Sequence, residues 1–134
     1  MSLADPDLVT LPSAHGVPET VARLKALLAQ KGIEVFAHID HAARARAVGL
    51  PLRPTQVLIF GNPRAGTPLM QSRQTVGLEL PLRVLAWEDE EGRAWLTYRR
   101  LADLARQHRV TDRDEAVQAL DDGLGALARA AAAP

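Results

Sequence analysis

The chain has 134 residues, 47% of them hydrophobic, and its sixteen basic and sixteen acidic side chains cancel. That length fits one domain with one core, since a chain of this size buries roughly two-thirds of its unfolded surface. The lack of cysteine excludes disulfides, thiolate metal sites, iron–sulfur clusters and cysteine nucleophiles, and the lack of a basic arm able to neutralise phosphates makes nucleic acid an unexpected partner.

Residues 1–7 read as a short acidic tail, without the basic start and apolar run of a signal peptide. The apolar runs fall far short of the ~20 residues a membrane span needs. A cytoplasmic protein without a membrane partner is the expectation.

The first element is a strand over 8–11, closed by Pro12, which cannot donate to a ladder and so belongs near an edge. From Pro18 the period changes. Val21, Leu24 and Leu28 share one helical face, Pro18 suits the first turn, and Gly32 can adopt the left-handed conformation that ends a helix. Alternation over 34–40 predicts a second strand with Val35, Ala37 and Ile39 on one face and Phe36 and His38 on the other. A short helix follows over 41–48, with Asp40 as N-cap and Gly49 and Pro51 as stop signals. Residues 56–60 are almost continuously apolar, the pattern of a strand buried on both faces and the expected centre of the sheet.

The stretch 61–81 holds Gly61, Gly66, Gly77, Pro63, Pro68 and Pro81, which predicts a structured connection with at most one helical turn over 69–73. Strands over 82–87 and 93–98 flank an acidic, glycine-ended turn, a β-hairpin whose aromatic residues Trp87, Trp95 and Tyr98 are read as packing residues. A short helix over 101–108 and a longer one over 112–133 complete the chain, the latter with Thr111 or Asp112 as cap and Val117, Leu120, Leu124 and Leu127 on one face. The result is an α+β fold: a two-layer, mostly antiparallel five-stranded sheet with helices on one face, in the order strand, helix, four strands, helix.

Three segments carry a family resemblance. Ile39-Asp40-His41-Ala42-Ala43, the run Leu58-Ile59-Phe60-Gly61-Asn62-Pro63-Arg64-Ala65-Gly66-Thr67-Pro68-Leu69-Met70, and Leu80-Pro81-Leu82-Arg83-Val84 resemble DUF302 domains. The resemblance spans residues 8–110 and sets 111–134 apart as a C-terminal helical extension. It implies a two-layer fold related to the TATA-binding-protein half, but no reaction.

Two sets of residues invite a functional reading. Loop 61–70 follows a buried strand, and its Gly61 and Gly66 can turn backbone N–H groups toward an anion while Asn62 and Thr67 add side-chain hydrogen bonds. The alternative is that these residues only route the chain across the end of the sheet. His41 offers a titratable imidazole, with Asp40 explained equally well as a helix cap. If both sets lie at one end of the sheet, His41, Gly61, Asn62, Gly66 and Thr67 form a site for a small polar or anionic molecule. His38 and His41 lack a third donor, so no metal and no cofactor are expected. His15 and His108 are read as surface residues, and no serine or threonine has an evident histidine partner. Three classes remain open: a ligand-binding or regulatory module, an enzyme of unknown reaction using the His41, Asn62 and Thr67 region, or a structural assembly subunit. A homodimer is expected as well, to cover the second apolar face of residues 57–60.

Overall fold

The computed structural model describes residues 7–134, so the expected tail over residues 1–7 lies, apart from Asp7, outside the described residues. The sheet has the order β1-β5-β4-β3-β2, with β1 at Leu8–Pro12, β2 at Glu34–Asp40, β3 at Thr55–Gly61, β4 at Leu82–Glu88 and β5 at Ala94–Arg99. Every neighbouring pair is antiparallel. Pro12 ends an edge strand as expected, but the centre is β4 and not β3. Leu58 and Phe60 of β3 are buried at 1% exposure, whereas Val57 and Ile59 on its other face are only half-buried. The continuous apolar run therefore marks an interior strand covered by helices on one face alone.

Register explains the core. Leu58 and Phe60 of β3, Val84 and Ala86 of β4, and Ala94, Leu96 and Tyr98 of β5 lie on one face of the pleat and are all buried. Above them lie α1 (Val17–Gln30), α4 (Leu101–Gln107) and α5 (Asp114–Ala132), which add Val17, Val21, Leu24, Leu28, Leu101, Leu104, Val117, Leu124 and Leu127 to the same cluster. Helix α1 starts with Pro18 in its first turn, and Gly32 beyond it has a φ of 67°.

The terminal helix is no appendage. Ala128 and Ala131 are fully buried, and α5 packs on α1, α4, β1 and β5. Its N-cap is Arg113, not Thr111 or Asp112, and makes no side-chain cap; Asp112 instead accepts from the Ser72 hydroxyl and from Arg113. At the far end the Arg23 guanidinium donates to the carbonyls of Ala130, Ala131 and Ala133, and His15 Nε2 lies 2.7 Å from the Ala133 carbonyl. His15 is thus a partly buried clasp on a helix C-terminus. Asp121 of α5 accepts from the backbone N–H groups of Leu101 and Ala102 at 2.6 and 3.0 Å, so one helix caps the start of another.

The connection 61–81 differs most from expectation. Asn62 accepts from the Arg64 N–H at 3.0 Å and starts α3 (Pro63–Ser72), with Pro63 in its first turn; a six-residue 3-10 helix follows over Gln74–Glu79. Pro68 lies inside α3, five residues after Pro63, so the Arg64 carbonyl four residues back is the only helical bond its ring forfeits. A cis peptide joins Leu80 to Pro81.

Candidate functional site

The β3–α3 junction forms one wall of a cleft of about 240 Å³. Gly61, Asn62 and Pro63 line it from the end of β3, Ala65, Gly66, Thr67 and Met70 from α3, Gly77 from the 3-10 helix, Leu80, Pro81 and Leu82 from the approach to β4, and Leu120 from α5. Phe36 lines it from β2, beside Gly61. It sits at a register shift in β2: Val35 pairs with Phe60 and Ala37 with Ile59, leaving Phe36 as the extra residue. Such a bulge re-aims a side chain, and Phe36 keeps 48% exposure with its ring edge 3.5 Å from where a Cβ on Gly61 would stand. The bulge also breaks the simple alternation expected for this strand.

Two glycines let the walls approach closely. A Cβ on Gly66 would stand 3.3 Å from the Leu80 side chain, and one on Gly77 3.1 Å from the Met70 sulfur. Among the described residues, no titratable side chain lines the cleft. Asn62 has its carbonyl oxygen committed to the helix cap, and Asn62 and Thr67 are both exposed.

Four of the five expected residues, Gly61, Asn62, Gly66 and Thr67, thus line one cleft, but His41 does not. β2 and β3 pair with Asp40 opposite Gln56 and Glu34 opposite Gly61, so His41 and Asn62 leave opposite ends of the same strand pair. At a rise of about 3.4 Å per residue they lie roughly 20 Å apart. The reason is topological: successive connections between adjacent antiparallel strands alternate ends of the sheet. Asp40 is the cap of α2 (His41–Ala47), accepting from the Ala43 N–H at 2.9 Å, and His41 is exposed. His38 Nε2 lies 2.6 Å from Gln56 Oε1, and among the described residues no three His, Asp or Glu side chains converge as a metal would require.

His108 departs from its reading as a surface residue. It is the C-cap of α4, with Nε2 2.8 Å from Glu79 Oε2 and Nδ1 3.1 Å from the Thr75 hydroxyl, both on the 3-10 helix. The imidazole ties the cleft's 3-10 wall to α4, and gives one threonine the histidine partner that spacing did not reveal. Phe36, Leu80 and Leu120 were equally hidden, being apolar residues from β2, the approach to β4 and α5. In the hairpin, Trp87 and Trp95 stack with centroids 6.3 Å apart, as expected of packing residues, while Asp89 accepts from Trp95 Nε1 and from the N–H groups of Glu91 and Arg93. These bonds, led by that from Trp95, hold the Asp89 carboxyl below its ordinary range.

Fold and cleft together define a two-layer α+β domain with an open antiparallel sheet and an apolar recess at the end of β3. The chain belongs to the family described as domain of unknown function DUF302, whose model matches residues 9–127 and so reaches well into α5. A crystal structure of an uncharacterized conserved DUF302 protein from Bacillus stearothermophilus shares the fold, with a TM-score of 0.85 and 20% identity over 95% of this chain and 99% of that one. Proteins named fluoride-specific ion channel FluC 1 in Brucella suis biovar 1 and FluC 2 in Brucella melitensis biotype 1 are each 46% identical over 132 residues. That match takes in 98% of this chain but only 52% and 49% of theirs, so the chain spans about half the length of these curated relatives. No described helix of this chain is long and apolar enough to cross a membrane.

Proposed function

We propose that the domain is a binding module for a small molecule with an apolar body and one polar end. The observation that carries this is the cleft itself: about 240 Å³, walled by Phe36, Met70, Leu80 and Leu120, with no titratable group among the described residues that line it. A dry apolar cavity of about 150 Å³ accepts benzene, so the recess has room for a substituted single ring. An ion placed among these walls would lose hydration without a compensating charge. The polar or anionic character expected of the ligand is therefore confined to its end, beside Asn62 and Thr67 in the first two turns of α3. The enzyme alternative built on His41 acting with Asn62 and Thr67 loses its geometry, because a separation of roughly 20 Å exceeds hydrogen-bond reach.

Thermal-shift measurements with benzamide, benzoate and inorganic phosphate test the proposal. Benzamide and benzoate should raise the melting temperature as binding to the folded state requires, and phosphate should not. Filling the recess with Ala65→Phe should abolish the shift, while His41→Ala should leave it intact. A shift with phosphate alone, or one that survives Ala65→Phe, refutes the cleft as the site.

Two partner readings accompany this one. The relatives named as channels are twice as long as the matched region, and a channel has to cross the bilayer with helices or a closed barrel. We therefore propose that in those proteins the region like this chain is an attached domain outside the membrane, where ligand binding regulates the channel portion. Deleting that region should leave fluoride flux in liposomes but remove its response to a cleft ligand. The second reading is a homodimer through the uncovered sheet face, where Val57, Ile59 and Leu85 are half-buried; light scattering giving a monomer would refute it.

A further inference from the structure

The segment joining β2 to β3 has no part in the cleft, yet it holds a cluster of exposed apolar side chains. Val48, Leu50 and Leu52 are 72%, 61% and 49% exposed, and they are three of the five large hydrophobic side chains exposed among the described residues. Residues 41–54 contain no carboxylate and three arginines, Arg44, Arg46 and Arg53, all exposed.

The leucines are held outward by construction. Gly49, at φ 78°, turns the chain at the end of α2, with its N–H on the Arg46 carbonyl at 3.0 Å and the Leu50 N–H on the Ala45 carbonyl at 2.9 Å. Pro51 and Pro54 then restrict the backbone, and Arg53 Nε donates to the Glu88 carbonyl at 3.2 Å, fastening the base of the segment to β4. A rigid turn that presents aliphatic side chains to water, flanked by guanidinium groups, matches what an anionic lipid surface accepts. Aliphatic groups enter the boundary between headgroups and acyl chains, and cations sit at the phosphates with their methylene stems along the apolar surface.

We propose that this turn docks the domain on an anionic phospholipid membrane, inserting Val48, Leu50 and Leu52 and placing Arg44 and Arg46 at the headgroups. A second copy is the weaker occupant, because a two-fold contact through this turn brings together two segments that carry arginines and no carboxylate to pair with them. The neighbouring charges define the orientation. Asp40 is engaged as the α2 cap, while Asp89, Glu90 and Glu91 of the hairpin share a concavity with Arg53. That acidic tip, with Arg93 beside it, opposes a negative surface near Arg53, leaving Arg44 and Arg46 to face lipid. No described helix is long and apolar enough to cross a membrane, and interfacial docking needs no such length.

Co-sedimentation of the full chain with phosphatidylcholine vesicles, with and without phosphatidylglycerol, tests the inference. The chain should partition onto the phosphatidylglycerol vesicles. Leu50→Asn with Leu52→Asn should weaken partition at least about tenfold, since each exposed aliphatic side chain contributes to insertion. Arg44→Gln with Arg46→Gln should remove about fivefold per cation and abolish the preference for phosphatidylglycerol. Glu90→Gln with Glu91→Gln should strengthen binding. The substituted side chains are all exposed, and circular dichroism checks that the fold persists. Failure of the unaltered chain to bind, or binding indifferent to the leucine pair, overturns the proposal. Concentration-dependent dimers dispersed by the leucine pair would assign the turn to a second copy instead.

Discussion

Replacing Asp121 with alanine probes how far α5 belongs to the domain. The carboxylate accepts from Leu101 N–H at 2.6 Å in a partly buried setting and from Ala102 N–H at 3.0 Å where water has access. Hydrogen bonds to a charged acceptor contribute about 1.5–3 kcal/mol each, and water can replace the exposed one in part. A carboxylate at a helix N-terminus also opposes the dipole's positive end, worth about 0.3–1 kcal/mol. A loss of about 3 kcal/mol follows. At an unfolding entropy of about 2.1 cal/mol/K per residue, a domain of this length loses roughly 10 °C of melting temperature. Differential scanning calorimetry reads this directly. Asp121→Asn keeps one acceptor and should lose about half as much. A melting temperature within about 2 °C of the parent for Asp121→Ala, or equal losses for alanine and asparagine, would refute the capping argument.

Asn62→Ala removes the cap of α3 and should cost about 1 kcal/mol, or 3–4 °C, while Asn62→Asp should retain stability; equal melting temperatures for all three proteins would show that the cap is replaced by water. Tyr98 is the sole tyrosine, and burial raises its phenol above the ordinary value near 10. Its neutral form is thus favoured in the folded state, giving stability present below the unfolded value and lost as pH rises beyond it. Absorbance titration should show a midpoint above 10 in the native protein that returns to the ordinary value in denaturant. Asp89 has the opposite sign: its folded pKa lies below the unfolded one, so its contribution is present above the ordinary 3.8 and fades as pH falls through the lower folded value. Tryptophan fluorescence should change in that acidic window, and the change should be absent in Asp89→Asn. Truncation after Val110 discards Asp121 and the buried Val117, Leu124, Leu127, Ala128 and Ala131, and should leave a chain without cooperative unfolding.

Local chemistry determined a good part of this fold from the sequence. Short apolar or alternating runs placed the strands, Pro18 and Gly32 bracketed α1, Asp40 marked the start of α2, and the acidic turn joined β4 to β5, because each of these signals acts within a few residues. The same locality failed at α3, where Gly66 and Pro68 lower helical propensity yet an Asn62 cap and the packing of Leu69 into the core outweigh them. Four cleft residues were legible because they are contiguous in the chain. Only the tertiary structure decided the rest. The antiparallel pairing of β2 with β3 sent His41 to the far end of the sheet, and a one-residue bulge turned Phe36 toward the recess. Helix α5 brought Leu120 to the recess and Asp121 to the start of α4. Pairing order, register and helix docking depend on contacts between residues distant in sequence, and no local pattern encodes which of them will meet.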